Sequence, residues 1–261
     1  IWRPVTGGNG IARDVFMAMA QDPMGVTLPP GAALDAHYAQ TQLGPRSIGG
    51  ENVRRGSGVA FEPRAMDYAV RSLLDATGGC QTLLGTTFCR AHAENGAVKA
   101  VEAWFHGKRL LIEAKVFVDC TADGDLCVDA GCEFHMGEDP QSRYGEPHAP
   151  EQARLRLNGL TLCYRITDTG VAQKPYLPEG VSADSCPISA CFDRMPNGDI
   201  IVNACGMISG NAVVCMEHSE LMREAQRRVL AHMYRIQNLP SDDPWAAAAG
   251  GKGWGTWAIA A

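Results

Sequence analysis

Five consecutive residues, Thr121-Ala122-Asp123-Gly124-Asp125, concentrate a hydroxyl, two carboxylates and a glycine. Asp123 and Asp125 so placed either act as a paired carboxylate site that accepts ligand hydroxyls, or cap a helix. Thr121 has the same two readings. Two histidines follow, His135 and His148. An imidazole titrates near neutrality and moves protons, so these are the candidates for catalysis. A lone histidine serves equally well as a surface or packing residue.

Ten cysteines are scattered singly, with no CxxC pair. Their spacing fits neither a zinc ribbon nor an iron–sulfur run. Cys127, Cys132 and His135 match no common ligand pattern, so no metal is expected. Several cysteines stand in apolar stretches, where a thiol behaves as a small hydrophobe, and buried reduced thiols are the expectation. Arg46, Arg54 and Arg55 either meet an anion or are simply solvated in a polar loop.

These groups need a frame. Residues 115–133 run KVFVDCTADGDLCVDAGCE. Val116, Phe117 and Val118 are apolar on both faces, which predicts a buried strand of a layered α/β sheet. The sharp turn over 121–125 follows, then a short helix over 126–130, with Gly131 where a left-handed residue ends a helix. Ligands of open α/β sheets bind beyond the carboxyl ends of strands, so a cofactor site is expected at this turn.

Upstream, a helix is expected over 11–20 and another after Pro63, stopped by Gly78-Gly79. TGGNG at residues 6–10 follows no strand and reads as a loop. Strands are expected over 82–84, 86–93, 98–105 and 110–112, with a hairpin at Glu94-Asn95-Gly96 and a turn at His106-Gly107-Lys108. Downstream, polar loops separate apolar strands over 155–166, 188–192, 200–204 and 212–216, with a turn at Met195-Pro196-Asn197-Gly198-Asp199. A long helix follows, with Ser219 as cap and Met222, Ala225, Val229, Met233 and Ile236 as its core stripe.

A net charge of −6 and the lack of a basic run argue against nucleic-acid and anionic-membrane partners. No apolar stretch reaches the ~18 residues of a transmembrane helix. The N-terminus lacks the zones of a signal peptide, so a cytoplasmic location is expected. Isoleucine at position 1 and the apolar, aromatic last residues suggest a piece of a longer chain.

The stretch FEPRAMDYAVRSLLDATGGCQTLLGTTFCRAHAENGAVKAVEA followed by AKVFVDCTADGDLCVDAGCEFHMG resembles bacterial FAD-dependent oxidoreductases of the Rossmann type. Their second nucleotide motif reads roughly D-A-T-G-D-G-D; here it stands as Asp119 to Asp125, with Ala122 in place of a glycine. MPNGDIIVNACGMISGN and HSELMREAQRRVLAHMYRIQ extend the resemblance over roughly residues 44–237.

The resemblance implies an α/β fold: a partial FAD-binding, Rossmann-like domain over 1–138 with an antiparallel meander, and a β-rich substrate-type domain with a closing helix over 139–240. Residues 241–261 stay unassigned. It implies FAD as cofactor, contacts from Thr121, Ala122, Asp123, Gly124 and Asp125, and hydride or electron transfer from a small organic substrate. G-x-G-x-x-G, which holds the FAD pyrophosphate in such enzymes, is absent from this sequence. A chain without it implies weak or no FAD binding alone, and a non-catalytic fragment or a subunit completed by a second chain is the alternative.

Overall fold

The computed structural model describes residues 10–26, 61–186, 188, 190–204, 207–249 and 253–260. The loop expected over 6–10, apart from Gly10, and Arg46, Arg54 and Arg55 lie outside them. The chain forms two units: residues 1–76 with 157–261, and residues 77–156. Its described elements are helices and antiparallel sheets.

The first unit opens with α1 (Ile11–Met19) and α2 (Pro63–Asp75). Pro63 occupies the first turn of α2, where a missing N–H costs nothing. Phe16 and Met19 of α1 pack with Ala65, Ala69 and Val26 in a small core. Gly25 is required there, because a Cβ would collide with the Met19 carbonyl oxygen.

The remainder of that unit is a four-stranded antiparallel sheet of β4 (Tyr164–Asp168), β5 (Cys191–Arg194), β6 (Ile200–Asn203) and β7 (Trp257–Ile259), in the order β5-β6-β4-β7. Helix α6 (His218–Gln237) shares its core, where Leu221, Ala225, Val229, Met233 and Ile236 join Ile166, Phe192 and Val202. Four of these belong to the stripe expected from helical spacing, and Leu221 takes the core place expected of Met222. Ser219 is not its cap: Glu217 holds the N-cap position, without a side-chain cap bond. The tail is core as well, since Trp254 is fully buried and stacks on Phe192 at 4.9 Å. Arg165 binds Glu62 through two bonds of 2.9 and 3.0 Å and Asp199 at 2.6 Å, so the N-terminus of α2 is tied to β4 and to the turn before β6.

Two expected strands shift and one disappears. The strand expected over 155–166 narrows to β4, and that over 188–192 moves to β5. In place of a strand over 212–216 stands α5 (Gly210–Val213), a single helical turn. Gly210 lets the chain pass so near the Leu157 and Asn158 carbonyls that a side chain would clash.

The second unit is a meander of β1 (Thr86–Glu94), β2 (Ala97–Phe105) and β3 (Lys108–Glu113), followed by α3 (Asp125–Asp129) and α4 (Gln141–Tyr144). Asn95 and Gly96 both have positive φ, 52° and 74°, which suits a tight hairpin turn twisted like its strands. Residues 82–84 are not a strand.

Nor are residues 116–118, contrary to the buried strand expected there. Val116 is 76% exposed and Val118 78% exposed. Backbone in a sheet interior needs a neighbour to accept its N–H groups. Among the described residues no strand pairs with this run, and its two valines stay open to solvent. The buried apolar residues of this unit are Ala100 and Ala103 alone.

Candidate functional site

The turn over 119–127 is built by one carboxylate. Asp119 Oδ1 accepts from the Thr121 backbone N–H at 2.9 Å and from its hydroxyl at 2.8 Å. Asp119 Oδ2 accepts from the Cys127 N–H, in the first turn of α3, at 2.9 Å. The N–H of Cys127, then the N–H and hydroxyl of Thr121, favour the charged form and hold the Asp119 carboxyl down at about 2. Thr121 Oγ1 also accepts from the Asp125 N–H at 2.7 Å. Gly124, at φ 70° and ψ 34°, holds the left-handed N-cap position of α3.

The capping expected of Asp123 or Asp125 is therefore done by Asp119 and Thr121. Residues two apart make such turns by a side chain bonding the backbone ahead, which is legible in Asp-x-Thr. The Asp119–Cys127 bond, across eight positions, has no sequence signal. With the helix end already satisfied, the carboxylates of Asp123 and Asp125 are exposed and make no hydrogen bond among the described residues. Ala122 is exposed between them. The far end of α3 is anchored too: Asp129 Oδ2 accepts from the Ala91 N–H of β1 at 2.5 Å.

His135 belongs to a separate polar cluster. Its Nε2 lies 2.9 Å from Glu133 Oε1, and its Nδ1 lies 3.2 Å from Arg143 Nη1. Arg143 Nη2 also lies 2.6 Å from Nε2, so the guanidinium, which only donates, faces both ring nitrogens. Arg143 also reaches Asp139 at 3.5 Å and the Tyr144 hydroxyl at 2.9 Å. His148 stands exposed in the turn closed by the Ala149 N–H on the Glu146 carbonyl. Sequence spacing names His135 but not Arg143, whose contact with it depends on α4 folding back.

Seven of the nine described cysteines are exposed, against the expectation of buried thiols; only Cys186 is fully buried. The apolar residues around most of them are themselves uncovered. One buried polar residue went unmarked by the sequence: His232 lies within the α6 stripe, its Nδ1 2.5 Å from the Tyr164 hydroxyl and its Nε2 3.3 Å from the Ile188 carbonyl.

Two open cavities lie in the first unit, and no residue of the turn lines either. One, of about 390 Å³, is lined by Met19, Asp22, Arg64 and Tyr68. The other, of about 400 Å³, runs along α6 beside Met216, Glu220, Arg223 and Arg227.

No curated protein and no solved structure matches the chain. A family model does, over residues 3–244, and that span holds the Asp119-locked turn, the meander before it and the β4–β6 sheet with its closing helix. By a match over most of its length, the chain belongs to the FAD dependent oxidoreductase family.

Proposed function

We propose that the turn over 121–125 holds the hydroxyl-bearing part of FAD, in a flavoenzyme that oxidises a small organic substrate. One observation carries this reading. Asp119 and Thr121 satisfy the backbone of the turn, which leaves Asp123 and Asp125 exposed as acceptors. Carboxylates suit ribityl or ribose hydroxyls, which donate. When bound, the flavin supplies the redox chemistry, taking a hydride or electrons from the substrate. The residues of this chain bind and orient. His135, held between Glu133 and Arg143, is the group suited to move a substrate proton.

The same turn is a poor host for a pyrophosphate. Asp119, Asp123, Asp125 and Asp129 crowd it with negative charge. Anions are held instead by backbone N–H groups at a glycine-rich helix start, and G-x-G-x-x-G does not occur here. We therefore place the pyrophosphate on a strand, glycine-rich loop and helix contributed by additional polypeptide, in the same protein or a partner chain. Val116 and Val118 support this, because a neighbouring strand would cover side chains now 76% and 78% exposed. Burying a valine is worth roughly 1.5–3 kcal/mol. On this reading the chain alone is the scaffold half of the site.

The test is an absorbance spectrum of the purified chain before and after incubation with excess FAD and gel filtration, repeated on Asp123→Asn/Asp125→Asn. With the glycine-rich unit supplied, flavin bands should co-elute with the native protein, and the double variant should retain at least tenfold less. Equal retention by both proteins would sink the assignment of the turn.

A further inference from the structure

The end of α3 carries two thiols that the cofactor reading does not use. It closes as a Schellman turn: the Cys132 N–H donates to the Cys127 carbonyl at 3.0 Å, and the Gly131 N–H to the Val128 carbonyl at 3.0 Å. Gly131, at φ 83°, supplies the left-handed residue that this closure needs. Cys127 and Cys132 are the two positions of the motif whose side chains ordinarily meet. Nitrogen is one bond from its α-carbon and the carbonyl oxygen two, so the α-carbons lie less than about 7 Å apart. Disulfides span roughly 4.4–6.8 Å.

Both side chains are exposed. The Cys127 thiol is pushed up, first by its hydrogen bond to the Asp119 carboxylate and also by Cys132 beside it. Cys120 is the competing thiol, and among the described residues no backbone bond draws it toward either cysteine.

We propose that Cys127 and Cys132 form a reversible disulfide, with a low-molecular-weight disulfide such as oxidised glutathione as the electron acceptor. The hydrogen bond to the Asp119 carboxylate disfavours the Cys127 thiolate, so the exchange opens at Cys132, because the thiolate is the nucleophile. Its sulfur attacks one sulfur of the small disulfide, breaking that S–S bond and expelling a thiolate. Cys127 then gives its proton to solvent and attacks the Cys132 sulfur, expelling the second thiolate. Two protein thiols are oxidised to one disulfide, and one small disulfide is reduced to two thiols. The bridge takes the Cys127 sulfur away from Asp119 and clamps the end of the helix that begins at the candidate cofactor turn.

The test needs no flavin and stands whether or not the chain binds FAD. The full chain is equilibrated in glutathione buffers from reduced to oxidised, free thiols are alkylated, and tryptic peptides are weighed. Cleavage after Lys115 and Arg143 releases Cys120, Cys127 and Cys132 on one peptide. In oxidised buffer most of that peptide should be two hydrogens lighter, with a single alkyl group, on Cys120. Dithiothreitol should restore three alkyl groups. Cys120→Ser should keep the loop, whereas Cys127→Ser and Cys132→Ser should each abolish it. Three alkyl groups at every ratio, glutathione adducts without a loop, or a bridge through Cys120 would overturn the proposal.

Discussion

His232 shows how one side chain can set the acid limit of a core. It is fully buried, and its two nitrogens are matched only in the neutral ring: Nδ1 accepts from Tyr164, Nε2–H donates to the Ile188 carbonyl. Burial, with Arg235 nearby, pulls its imidazole down from 6.5 to about 4. Because the folded value lies below the unfolded one, its contribution is complete above about pH 6.5. It falls away as the pH drops from there to about 4, where the folded ring also protonates. A separation of that size is worth about 3 kcal/mol. Thermal melts of the native protein and His232→Gln should therefore converge between pH 7 and pH 4. Parallel curves would show that His232 does not couple folding to protons. This histidine is invisible in the sequence, because helical spacing places it among apolar residues without revealing Tyr164 opposite it. Asp119 is half legible: its bonds to Thr121 are local, while the one to Cys127 needs the turn already folded.

Elements whose cause lies within a few residues were readable. Pro63 starts α2, Asn95-Gly96 makes the hairpin, the 195–199 turn joins β5 to β6, and the apolar stripe of α6 packs inward. Elements that depend on a distant neighbour were not. Residues 116–118 have the composition of an interior strand, but a strand exists only with a partner, and composition does not say who supplies it. The segment after Ser209 became a helical turn because Gly210 passes against the Leu157 and Asn158 carbonyls, a contact across more than fifty positions. The exposed run yields a prediction of its own. Val116→Thr/Val118→Thr should shift the stability of this chain by less than about 0.5 kcal/mol in a denaturant titration, as solvent-facing substitutions do. A loss of 2 kcal/mol or more would mean that the chain itself covers these valines.

For the whole molecule, the two units differ in what holds them. The first has a continuous core running from Tyr164 through α6 to Trp257, with Trp254 stacked on Phe192 and its indole N–H donating to the Trp245 carbonyl at 3.2 Å. Trp254→Ala should cost about 3–5 kcal/mol, read as a fall in the denaturant midpoint, since it empties the largest fully buried side chain. A cost below 1 kcal/mol would mean that the aromatic tail is not part of the fold. The second unit buries two alanines and is held by a meander, the Asp119 turn and the Asp129–Ala91 bond. The tail residues 241–260, unassigned from sequence, supply β7 and two core tryptophans because β4 has a free edge for them.

That pairing has a consequence for synthesis on the ribosome. β4 leaves the exit tunnel before both of its neighbours, β6 and β7, and Ile166 meets Ile259 across some ninety positions. Three strands of that sheet can pair once residue 203 emerges, whereas β7 joins only after residue 259 is translated. The meander, whose strands are consecutive, closes as soon as residue 113 emerges. Chains grown past residue 168 but short of residue 200 hold a finished meander and an unpaired, isoleucine-bearing β4, and it is at that stage that a nascent-chain chaperone has most to shield.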